Sequence, residues 1–114
     1  MIQFKSQSIQ HITPPIAKKL LGCLNQLEVK ALAYATFYDL GTGSNCLAGA
    51  CVHAEKVKLI LNKDYSQLVT KMFPDQQVQE AIFSLNDTMG SAEPETERYT
   101  RVYATLTEIV GVPA

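Results

Sequence analysis

The sequence predicts an all-α fold, a compact bundle of about five helices, on three observations. Apolar residues recur every three or four positions along most of the chain, which is the period of a helix that buries one stripe. Proline and capping side chains stand at the edges of these periodic stretches, at Thr13-Pro14-Pro15, Pro74-Asp75 and Glu93-Pro94. The connections between them run to about two to seven residues, the usual length between neighbouring helices of a bundle.

Thr13 can cap the first helix, and proline fits its opening turn because no amide donor is needed there. Ile16, Leu20, Cys23, Leu24, Leu27, Ala31, Tyr34 and Tyr38 continue at helical spacing, so this helix is expected to run to about Asp39. An alternative makes Val29 to Tyr38 a strand, since Val29, Ala31, Ala33, Ala35 and Phe37 also alternate; the alanines favour the helix. Gly41 and Gly43 break it, and Ser44 or Asn45 can cap a second helix from about Cys46 to Leu61.

Asn62-Lys63-Asp64 is expected as a polar turn, followed by a short third helix through Leu68, Val69, Met72 and Phe73 that Pro74 ends. Asp75 caps a fourth, with Val78, Ala81, Ile82 and Leu85 facing the core. A fifth starts around Ser91 to Pro94, where Glu93, Glu95 and Glu97 suit the positive end of the dipole. Its stripe is Tyr99, Val102, Leu106, Ile109 and Val110, with Glu97 placed to pair with Arg101, and Gly111 closes it. Residues 1–12 are expected as a short edge strand or a flexible arm on a single domain spanning 1–114.

At 114 residues the chain can build a core without staples, and its 46% hydrophobic and 18% charged residues are those of a globular protein. A net charge of -1 with scattered lysines argues against nucleic acid as a partner. No apolar run reaches the length of a signal peptide or a membrane span, which places the protein in the cytoplasm without a membrane partner. Three cysteines, Cys23, Cys46 and Cys51, form no disulfide framework and fit a reducing compartment.

The stretch Ser44-Asn45-Cys46-Leu47-Ala48-Gly49-Ala50 raises one chemical question. A thiol in the first turn of a helix has its anion stabilised by free amides and the dipole, so Cys46 is the candidate nucleophile, with a lowered pKa. The other reading, which the sequence favours, makes Cys46 and Gly49 a packing seam, because cysteine is most often a small buried hydrophobe. His53 lies seven residues on, about 10 Å along a straight helix and too far for a general base, which leaves His11 or Asp87 as helpers. No ligand spacing supports a metal, the Gly41-Thr42-Gly43 loop misses the phosphate-binding patterns, and no cofactor is expected. Asn86-Asp87 meets the negative end of the fourth helix. Either Asn86 takes a left-handed cap and Asp87 organises the turn, which is favoured, or Arg98, Arg101 or His53 compensates.

Cys46 to Ala54 and Ile82 to Gly90, followed by a last helix beginning Arg98-Tyr99-Thr100-Arg101, together resemble a small bacterial and phage domain family of unknown function. That family has a Cys-x-x-Gly-Ala helix and a later Asn-Asp pair, usually preceded by tryptophan; here Leu85 stands in that place. The resemblance matches Cys46, Gly49, Ala50, Asn86 and Asp87 to the family pattern, and it implies a phage or mobile-element origin.

The expected function is therefore a non-enzymatic binding or regulatory module, an inhibitor of a host protein or a homodimer. Cys46, Gly49, His53, Asn86 and Asp87 mark its binding region, and a small ligand is left open. Phe37, Tyr38, Leu40, Ile60, Phe83 and Tyr103 lie off the assigned stripes and are candidates for self-association. The alternative is a thiol-dependent enzyme with Cys46 as nucleophile, assisted by His11 or Asp87.

Overall fold

A computed structural model describes residues 10–34, 38–39, 44–54 and 62–111, with the backbone alone at 38–39, 52–54 and 62–66. Among the described residues there are five helices, α1 (Pro14–Asn25), α2 (Leu47–Ala54), α3 (Asn62–Met72), α4 (Gln76–Asp87) and α5 (Glu95–Gly111). Between α1 and α2 a two-residue strand β1 (Tyr38–Asp39) pairs antiparallel with β2 (Ser44–Asn45). The all-α bundle expected from periodicity is the architecture observed. No described helix is long and apolar enough to cross a membrane.

α1 starts at the two prolines, with Thr13 at the cap position but without a side-chain cap bond. It buries Ala17, Leu20, Cys23 and Leu24 against α5 and α2. It ends at Asn25, well before the expected Asp39. The Gln26 amide turns back to the Cys23 and Leu24 carbonyls, and Lys30 Nζ reaches the carbonyls of Leu24 (3.4 Å) and Asn25 (3.2 Å). A cation is thus held at the negative end of the dipole. Tyr99 adds its hydroxyl to the Leu24 carbonyl at 3.3 Å, and Tyr103 donates to Asn25 Oδ1 at 3.1 Å, clamping the end of α1 to α5.

The chain then runs non-helically through Ala31, Leu32 and Ala33, all buried, and Leu32 forms a parallel bridge to Asn45. This overturns the helical reading of 29–34. The helical preference of alanine is worth only a few tenths of a kcal/mol per residue, less than the tertiary hydrogen bonds this segment makes.

α2 sits at the centre. Every residue from Leu47 to Cys51 is buried, and the helix packs on α1, α3 and α4. It begins one residue later than expected, because Ser44 and Asn45 belong to β2 rather than to a cap. Its expected extension to Leu61 lies outside the described residues beyond Ala54. The polar turn expected at Asn62 to Asp64 is instead the first turn of α3, since such side chains suit a helix start as well as a turn.

α3 buries Val69 and stops before Pro74, and Asp75 caps α4 by accepting the Gln77 amide at 2.8 Å. α4 buries Val78, Ala81, Ile82 and Leu85, as the spacing predicts, and also Asn86. In α5, Val102 and Leu106 are buried, Tyr99 and Ile109 are half-buried against the core, and Val110 is exposed. Phe83 and Tyr103 pack partly against the core rather than standing free for self-association. Phe37, Leu40 and Ile60, and the side chain of Tyr38, lie outside the described residues.

Candidate functional site, a polar brace beneath the central helix

The start of an α-helix leaves amides without intrahelical partners, and around α2 that end is buried, so side chains must take the place of water. Cys46 stands just before the helix, where its carbonyl accepts the Ala50 amide at 2.8 Å and its Sγ accepts the Gly49 amide at 3.4 Å. The Leu47 amide donates to Asn86 Oδ1 at 3.0 Å. Asn86 is 2% exposed and donates through Nδ2 to the Ala33 carbonyl (2.8 Å) and to Asp87 Oδ1 (2.7 Å). The two stretches singled out in the sequence, Cys46 to Ala50 and Asn86-Asp87, therefore meet at one place.

Asn86 does not take a left-handed cap. It lies inside α4, the cap residue Thr88 is right-handed, and the positive φ falls on Gly90 at 77°. The end of α4 is satisfied from outside, by Arg101 donating to the carbonyls of Leu85 (2.7 Å) and Asn86 (3.0 Å). That is the compensating-partner alternative, with Arg101 as the partner.

Burial is the largest influence on the Cys46 thiol and pushes it up to about 11. The Gly49 and Ala48 amides pull the other way, and the charge of Asp87 adds to the rise. A helix start favours a thiolate, but at this one the loss of water outweighs the amides. The thiol stays protonated at neutral pH, the reverse of what a nucleophile needs. Cys51 is raised as well, first by a hydrogen bond with the Cys23 thiol and then by burial.

His11 is half-buried in the single turn ahead of α1, and among the described residues no hydrogen bond joins it to Cys46. His53 is on α2, but its side chain lies outside the described residues. No group of three or more His, Cys, Asp and Glu among the described residues is arranged to hold a metal ion.

The sequence offers Arg98 as a compensating partner for the end of α4, and the structure gives it a different, buried role in the brace. Arg98 is 1% exposed, with Nη1 on the Leu32 carbonyl (2.7 Å) and Nη2 on the carbonyls of Gly90 (3.0 Å) and Glu93 (2.9 Å). Its Nε lies 3.3 Å from Glu93 Oε1 but is not aligned for a hydrogen bond, so this contact is an ion pair by charge alone. Glu93 also takes both ends of the Arg101 fork, at 2.8 and 3.0 Å, in place of the expected Glu97 pair. The signal was present, because Arg98 stands four and eight residues before Val102 and Leu106 and so lies on the buried stripe.

Arg98 and Asn86 fix the non-helical segment. Leu32 donates to the Glu95 carbonyl and Ala33 to the Asn45 carbonyl, each at 3.0 Å, while Arg98 and Asn86 donate to the carbonyls of these same two residues. Ser44 Oγ donates to Glu95 Oε1 at 2.8 Å. Both amides and both carbonyls of Leu32 and Ala33 are thereby satisfied across the fold. The chemistry of this arrangement is to hold backbone.

A different feature faces solvent. A recess of about 380 Å³ lies between the start of α1 and the α3–α4 corner, lined by Pro15, Ile16, Lys19, Met72, Phe73, Pro74, Asp75 and Val78. The Lys19 ammonium sits 5.2 Å over the Phe73 ring at its edge. Gln79 Nε2 donates to the Phe73 carbonyl at 2.7 Å and steadies the corner. No known protein family, curated protein or solved structure matches the chain, so the family resemblance stands on its short motifs alone.

Proposed function

We propose that this chain is a small non-enzymatic binding module that docks a protein partner in the recess between α1 and the α3–α4 corner. The observation that supports this is a division of labour. Cys46, Asn86 and Arg98 are turned inward onto backbone groups, whereas Ile16, Met72 and Phe73 line a recess open to solvent. Apolar surface in a recess is the usual anchor point for a partner side chain. The partner is a host protein that the module inhibits, or a second copy of the chain, and a cytoplasmic setting suits three cysteines that form no disulfide.

The test is capture from a bacterial lysate with the wild type and with Met72→Glu, which places a charge in the recess. Light scattering on both proteins reads self-association. A partner, or a dimer, lost in the variant while its circular dichroism is unchanged supports the reading. Equal capture by both proteins, or a wild type that stays monomeric and captures nothing, refutes it. The thiol-enzyme alternative requires Cys46 to react with iodoacetamide faster than Cys23 in the folded protein.

A further inference from the structure

The recess between α1 and the α3–α4 corner is apolar inside and charged at its rim. Phe73 and Val78 are buried and make its floor, and Ile16 and Met72 are half-buried walls. At about 380 Å³ it stands at the small end of ligand pockets, with room for one large side chain rather than for a helix face.

The charge at the rim is unbalanced. Lys19 lines the recess with its ammonium 5.2 Å over the Phe73 ring, and a ring face attracts a cation without using its hydrogen-bond donors fully. Lys18 is its neighbour on α1 and Lys71 the neighbour of Met72 on α3, and all three lysines are exposed. α1 carries no acid, and Asp75, the carboxylate among the lining residues, already accepts the Gln77 amide at 2.8 Å. Among the described residues the ion pairs are those of Glu93 with Arg98 and Arg101, so Lys19 is joined to no carboxylate there. The whole chain has a net charge of -1, which makes this excess of cations local to the recess.

We infer that the partner segment docked in the recess is acidic: it sets one large apolar side chain on Phe73 and Val78 and brings a carboxylate to Lys19. Lys18 and Lys71 attract the acids that flank it. The inference rests on the docking reading above and adds the chemistry of the partner. Both arginines of the chain are turned onto the brace, so the rim has no planar fork for a phosphate, and a carboxylate beside an apolar anchor is the better match.

The experiment follows the amide shifts of the isotope-labelled full chain by NMR. The probes are three acetylated hexapeptides, each with one phenylalanine flanked on both sides by glutamate, by glutamine or by lysine, and decanoate as a fourth. The peptides are expected to move the amides of Ile16, Lys19, Phe73 and Val78. The glutamate peptide should bind about two- to fivefold more tightly than the glutamine one, the gain of one exposed ion pair, and the lysine peptide most weakly. Salt at about 0.5 M should remove this ranking. Lys19→Glu, at an exposed position, should reverse it; if the circular dichroism of that variant departs from wild type, the salt dependence of the wild type decides. Equal binding of the three peptides at the recess overturns the acidic inference and leaves the docking reading standing. No shift at the recess with any peptide overturns both. Decanoate that moves these amides when no peptide does identifies a small anionic amphiphile as the occupant, and a wild type that dimerises over the recess and excludes the peptides identifies a second copy. Either result overturns the inference.

Discussion

Replacing Asn86 by leucine tests the brace directly, because the two side chains have the same number and branching of heavy atoms and differ in polarity. The substitution strips the acceptor from the Leu47 amide and the donor from the Ala33 carbonyl, and both residues are fully buried. Each orphaned buried group costs about 1–3 kcal/mol, and the added apolar burial offsets part of that, leaving a net loss of about 2–4 kcal/mol. Set against a total stability of about 5–15 kcal/mol for a domain, this is a large effect. It corresponds to a Tm lowered by roughly 8–16 °C. The assay is urea unfolding followed by circular dichroism, with amide exchange at Leu47 as the local probe. Asn86→Asp should be at least as damaging at neutral pH, since the introduced carboxylate keeps an acceptor for Leu47 but faces the Ala33 carbonyl and Asp87. If Asn86→Leu falls within about 0.5 kcal/mol of wild type, the range of an ordinary surface change, the brace reasoning is wrong.

Arg98→Met removes the donors from the carbonyls of Leu32, Gly90 and Glu93, and should cost about 3–5 kcal/mol in urea unfolding. Arg98→Lys should not restore it, because one ammonium cannot reproduce the planar fork. Stability should fall as pH rises from about 9 to about 11. Unfolded Cys46 loses its proton near 9.0 while the native thiol holds it to about 11, so native protein binds more protons in that window. The contribution is full below the lower value and about 2–3 kcal/mol is gone above the higher one. Cys46→Ala should flatten this part of the pH profile, although Cys51 contributes with the same sign. Gly90→Ala, at a φ of 77°, should cost about 1–2 kcal/mol by thermal unfolding.

The sequence by itself determined the helical class, the starts of α1, α4 and α5, the apolar face of α4, and Val102 and Leu106 as the buried core of α5. Local rules suffice for these: proline at a first turn, aspartate at a cap and a stripe of three- and four-residue spacing act within a few residues of chain. It also picked out Cys46, Gly49, Asn86 and Asp87, because each breaks a local expectation. What they do was decided by the tertiary structure. The segment Ala31 to Ala33 carries a periodicity that fits helix or strand equally. It was settled by Asn86, Arg98, Glu95 and Asn45, which come from distant parts of the chain and satisfy its backbone. The character of Cys46 turned in the same way. A helix start favours its thiolate and burial opposes it, and the depth of burial depends on packing that spacing along the chain does not encode.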